Sequence, residues 1–134
     1  MTMKNKDDLT EDIREAAAAF LSAFDNLEWE RFSSFIAQDA TVFMPWPNIP
    51  KRLNGKAEIE SVFRPFFESM LPEKVEPPYL NLNPLDLEAK SIGNVGFVTF
   101  HLLEDDHFGR RTLIFEKKQG AWQLVHLHAS NFYK

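Results

Sequence analysis

The 134-residue chain contains no cysteine, so a disulfide framework and every thiolate-based metal or redox site are excluded. It has no excess of positive charge. A formal net charge of -5 argues against a general nucleic-acid binder, because a phosphate backbone is met by clustered Lys and Arg. No apolar run approaches membrane-spanning length, and Met1–Asp8 carries Lys4 and Lys6 without an apolar segment behind them. Neither a membrane span nor a signal peptide is expected, and a cytoplasmic location is. No internal repeat or low-complexity stretch interrupts the chain.

What is there points to one globular domain. A chain of this length buries roughly two-thirds of its unfolded surface, so it can be stable without a metal or disulfide staple. The 13 phenylalanines imply a bulky core, with an aromatic-lined cavity possible inside it. Residues 1–8 read as a disordered polar tail and residues 9–134 as the domain. Asp8 and Glu11 have capping-box spacing, with Thr10 as a competing cap. Ile13, Ala17, Phe20, Phe24 and Leu27 then recur at helical spacing. A short second helix carries Trp29, Phe32 and Ile36, and Asp39–Met44 switches to a strand pattern. Pro45, Pro47 and Pro50 make a stiff loop around Trp46.

Asn54-Gly55 opens a third helix with Ile59, Val62, Phe63, Phe66, Phe67 and Met70 on its apolar side. Pro65 should kink or split it, because it cannot donate to the Ser61 carbonyl. Pro72, Pro77 and Pro78 end the helical part. From Tyr79 the period is two, with a phase flip predicted at Asn83-Pro84 as a bulge or bend. Turns at Gly93-Asn94, near Glu104–Gly109 and at Gln119-Gly120 separate three further strands. The last, Ala121–Phe132, alternates Trp122, Leu124, His126, His128, Ser130 and Phe132 against Gln123, Val125, Leu127, Ala129 and Asn131. Helices first and antiparallel strands after is an α+β order, α-α-β-α-β-β-β-β.

That order resembles the nuclear transport factor 2-like (SnoaL-like) fold, a cone in which a curved antiparallel sheet wraps helices around a pocket. Two motifs sharpen the likeness. Asp39-Ala40-Thr41-Val42 looks like a strand common in these proteins. Thr112-x-Ile114-Phe115, then Gly120-x-Trp122-x-x-Val125-His126-x-His128-x-Ser130, is similar to the C-terminal hairpin of the SnoaL-like branch. That branch includes the association (hub) domain of calcium/calmodulin-dependent protein kinase II, in which Asn83-Pro84 also has a counterpart. The fold hosts isomerases, cyclases, dehydratases and non-catalytic binders, so it implies no single activity.

Laid on a ketosteroid isomerase, the general-base position falls at Met44 and the oxyanion tyrosine at or near Phe20. Neither side chain can exchange a proton, which excludes that mechanism. In the hub domain, pocket arginines suited to a carboxylate fall at Leu113 and Ala129, with Phe100 near a third. All are apolar here. His126 and His128 could in principle share a metal with His101, but a catalytic zinc needs three protein ligands, and no metal or cofactor is expected. Both histidines and Arg111 are weak catalytic candidates, and the resemblance favours an interface for the histidine pair. The acidic stretch Glu104-Asp105-Asp106-His107 reads as an ordinary charged hairpin tip.

The ligand pocket is expected to be walled by Phe20, Phe24, Trp46, Ile59, Phe63, Phe67, Phe100, Leu113 and Ala129, with Arg111 and Asn131 near its mouth. Three functions stay open. The chain reads as a binder of an apolar or weakly acidic small molecule, as a small isomerase, cyclase or dehydratase, or as an oligomerisation module. A homodimer is expected through the outer sheet face, on Trp122, Leu124, His126, His128, Thr112 and Ile114.

Overall fold

The computed structural model of the chain describes residues 6–71 and 76–134, with side chains described from Leu9 onward. Two helices come first, α1 (Lys6–Asp25) and α2 (Trp29–Ser34), followed by strand β1 (Ile36–Phe43). A two-residue strand, β2 (Leu53–Asn54), leads into α3 (Lys56–Met70). Four strands complete the domain: β3 (Pro84–Ile92), β4 (Val95–Leu103), β5 (His107–Lys118) and β6 (Ala121–Tyr133). All six strands form one sheet in the order β2-β1-β6-β5-β4-β3. Only β1 and β6 run parallel, because α3 and three hairpin strands lie between them in the chain.

Helix α1 lies across the inner face of the sheet with Ile13, Ala17, Phe20 and Ala23 buried. Its approach depends on Gly96, since a Cβ there would overlap the fully buried Ile13 side chain. Phe32 of α2 fills the space between α1 and α3, with ring centroids 5.2 Å from Phe20, 5.4 Å from Phe63 and 4.9 Å from Phe67. Such offset and tilted ring pairs add about 0.5–1.5 kcal/mol each beyond area burial. Ser33 ties the two short layers together by donating to Glu60 at 2.8 Å.

Several expectations are corrected by this arrangement. Of the two outcomes expected at Pro65, a kink or a split, the split does not occur, since α3 runs through it as one helix. Ser61 and Pro65 are both exposed, so the carbonyl that loses its helical donor faces water instead of the core. Helix α1 begins at Lys6, inside the stretch read as tail, while residues 1–5, like Pro72, lie outside the described residues. Tyr79–Asn83 is not strand, and the phase flip sits at Asp86 (φ 55°), between Leu85↔His101 and Glu88↔Thr99. Leu85 therefore points outward, whereas Leu87 and Ala89 point in.

The most consequential correction lies in β6. Its partners step from Ile114↔His126 to Phe115↔Leu124, so Val125 is an extra residue and the side-chain phase inverts there. Leu124 is 1% exposed in the core, on the same side as Leu127 and Ala129. Trp122 also turns inward, beside Asp12, Glu15 and Phe35, with Lys117 over its ring at 5.6 Å. Its buried indole N–H has no partner among the described residues. Trp122 and Leu124 therefore leave the outer face on which the alternation put them.

Candidate functional site

A cavity of about 250 Å³ lies between the inner sheet face and the helices. Helix α1 contributes Phe20, Leu21 and Phe24 to it, α2 contributes Phe32, and α3 contributes Phe63 and Phe66. The sheet supplies Phe100, Leu102, Leu113, Leu127 and Ala129, and the proline-rich loop supplies Met44 and Trp46. Trp46 closes over the helices by stacking 5.3 Å from Phe63 and 5.0 Å from Phe66.

A strap between α3 and β3 covers the remaining side with Leu80 and Leu82. Asp25 at the end of α1 holds that strap. Its carbonyl accepts from the Tyr79 and Leu80 N–H groups at 2.9 and 3.2 Å, and its carboxylate accepts from the Leu82 N–H at 3.1 Å. One residue thus satisfies three backbone donors in a segment that has no ladder of its own.

The cavity's polarity comes from two side chains. Along the inner face of the β4–β5 hairpin, the rungs from deep to mouth are Val98 opposite Leu113, Phe100 opposite Arg111, and Leu102 opposite Gly109. Arg111 leans mouthward, because Gly109 has no side chain to stop it. A Cβ at Gly109 would stand 3.1–3.2 Å from the guanidinium atoms. Arg111 Nη1 donates to the Ser130 carbonyl at 2.9 Å, the Arg110 carbonyl at 3.2 Å and Asn131 Oδ1 at 3.3 Å. Nη2 and Nε have no protein partner among the described residues. Burial pushes the guanidinium's pKa down, opposed by the charge of Glu104, yet an arginine stays protonated at neutral pH.

Glu104 is the second polar wall residue. It continues the inward parity of Val98, Phe100 and Leu102 past the end of β4, and its N–H is fixed on the His107 carbonyl at 3.0 Å. The rest of the acidic stretch behaves as a hairpin tip. Asp106 pairs with His107 Nδ1 at 2.6 Å, and that hydrogen bond holds the exposed Asp106 carboxyl below its usual range.

The structure thus gathers eight of the expected residues around one space: Phe20, Phe24, Trp46, Phe63, Phe100, Arg111, Leu113 and Ala129. Ile59 and Phe67 are buried in the core instead, 1% and 2% exposed, and do not reach the cavity. Asn131 is absent from the wall as well and acts through Arg111, whose Nη1 it accepts. His126 and His128 stand on the opposite face of the sheet, with Thr112 and Ile114 beside them. His126 Nδ1 is 2.7 Å from Thr41 Oγ1, and desolvation, reinforced by the neighbouring His128, lowers its pKa. Phe43 packs against both imidazoles, with centroids 5.9 and 5.2 Å away. His101 lies on β4 opposite Arg110, two strands from His128 and one rung away, so it does not join the pair.

An order of helices before a strongly curved sheet, with an apolar cavity under the curve, is an architecture found in known proteins. The family model of the SnoaL-like domain matches residues 13–134. The chain belongs to the SnoaL-like domain family. Among curated proteins there is no match. Solved structures with the same fold include a candidate dehydratase of the nuclear transport factor 2-like family from Streptomyces avermitilis. It superposes with a TM-score of 0.77 at 18% identity, over 96% of this chain and 99% of that one. A nuclear transport factor 2-like protein from Pseudomonas putida gives 0.70 at 18% identity, over 95% and 89%. The association domain of calcium/calmodulin-dependent protein kinase II from C. elegans gives 0.68 at 19% identity, over 93% and 97%. At such identities these relatives speak for the SnoaL-like fold and not for a shared activity.

Proposed function

We propose that this SnoaL-like domain binds a small apolar acid, with its carboxylate on Arg111 and its body among the phenylalanines. The observation that carries the reading is a half-buried guanidinium, hydrogen-bonded through one nitrogen only, in a wall that is apolar apart from Glu104 at its mouth. Arginine meets carboxylates through a planar fork of donors, and Nη2 and Nε leave one edge of that fork available. An apolar cavity of roughly 150 Å³ already takes up benzene, so 250 Å³ suits a ligand of aryl-propanoate size. Calorimetry with 3-phenylpropanoate and its amide tests this. Arg111→Met should weaken the acid about tenfold or more while sparing the amide. Equal loss for both, or none for either, would count against Arg111 as the anchor.

Binding without chemistry is the better-supported form of this reading. Met44 stands on the cavity wall and cannot act as a base, while His126 and His128 point away from that space. On the outer face, Phe43 (37% exposed), Phe108 (41%) and Phe132 (59%) leave large apolar side chains for a second copy to cover. A two-fold homodimer there is part of the proposal. Sedimentation at micromolar concentration and neutral pH should show a dimer, and Phe132→Glu should shift it to monomer.

A further inference from the structure

The rung beyond Gly109 gives the ligand's polar end a second requirement. Arg111 lies over Gly109, and Glu104 continues the inward face one step closer to the mouth. Their charges influence each other, yet they do not pair: among the described residues Arg111 has no carboxylate within 4.0 Å. Rungs on one face repeat every ~6.8 Å, which leaves room between the two groups for one small polar substituent. A carboxylate bound on the free edge of Arg111 would bring its neighbouring carbon towards Glu104. A carboxylate this close to another is unfavourable unless a hydrogen-bond donor stands between them.

We infer that Glu104 is a specificity-determining residue that selects aryl-alkanoic acids carrying a donor, an ammonium or a hydroxyl, beside the carboxylate. This rests on the carboxylate anchor proposed above. The donor would hydrogen-bond to Glu104 while the carboxylate stays on Arg111. The cavity end would thereby match both halves of a 2-amino or 2-hydroxy acid, with the aryl group held between Phe63 and Phe100.

The test is calorimetric titration of the full chain with L-phenylalanine, 3-phenyllactate and 3-phenylpropanoate. The donor-bearing acids should bind roughly tenfold tighter than 3-phenylpropanoate, the low end for one hydrogen bond to a charged group. Glu104 is exposed, so Glu104→Ala should fold normally; it should abolish that difference while leaving 3-phenylpropanoate equal or tighter. A difference that is absent in the native chain, or that survives Glu104→Ala, overturns the inference. If 3-phenylpropanoate still binds through Arg111 in that case, only the role of Glu104 falls. If none of the three acids binds, the carboxylate anchor falls with it.

Discussion

Ala129 decides whether the space beneath the sheet is usable. It is 4% exposed, sits opposite Arg111 on β5, and forms part of the cavity wall. Ala129→Leu adds three carbons at that point. If they enter open space, each is worth up to about 0.8 kcal/mol, so the variant should gain as much as ~2 kcal/mol. If the rings already fill the space, overpacking should cost about 1–3 kcal/mol instead. For a domain of this size, 1 kcal/mol moves the melting temperature by roughly 3–5 °C, so the two cases differ in sign and by several degrees. The assay is thermal denaturation followed by circular dichroism, paired with titration of 1-anilinonaphthalene-8-sulfonate as an apolar anionic probe. An unchanged or raised Tm with probe binding lost is the expected result. A Tm lowered by several degrees would show that the interior has no space to give, and the binding proposal would fail with it.

Two other outcomes follow from particular contacts. Gly96→Ala should destabilise the protein by about 1–3 kcal/mol in chemical denaturation, because Ile13 is fully buried, β-branched and without room to retreat. An unaltered midpoint would mean that α1 does not approach β4 as closely as described. His126 should titrate below the ordinary value of roughly 6.5, since desolvation disfavours its charged form. Its folded pKa is the depressed one, so its contribution is complete above about pH 6.5 and is lost as pH falls through the folded value. Histidine ring resonances followed by pH titration would show this, and an apparent pKa at or above 6.5 would contradict it.

The fold was legible because most of its signals are local. A 3.6-residue stripe of Ile13, Ala17 and Phe20 can only be a helix face, and those three are indeed buried against the sheet. Two-residue alternation gave the hairpin strands for the same reason. The phase of an alternation is less local. Nothing in Trp122–His128 says that Val125 is skipped, since the bulge is set by how β6 meets Ile114 and Phe115 on its neighbour. A single such residue moved Trp122 and Leu124 from one face of the sheet to the other. The flip in β3 was visible as a conflict of parity, but its position was not, because Asn83-Pro84 resembles a bend and Asp86 does not.

The same distinction runs through the cavity. Arg111 and Ala129 lie on strands whose phase is right above the bulge, so parity alone brings them to one wall. Ile59 and Phe67 share the apolar stripe of α3 with Phe63 and Phe66, and only packing against α2 and the sheet decides which rings border the space. Glu104 was overlooked for a different reason. It belongs to an acidic run, and Asp105 and Asp106 are solvated and exposed in the way such runs usually are. Counting parity on from Val98 through Phe100 and Leu102 would have separated it from them. A charge that continues an inward-facing series therefore carries information that the charge run around it hides. At the mouth of this cavity it stands one rung beyond Gly109, over which the guanidinium of Arg111, the sole cation on the described wall, leans.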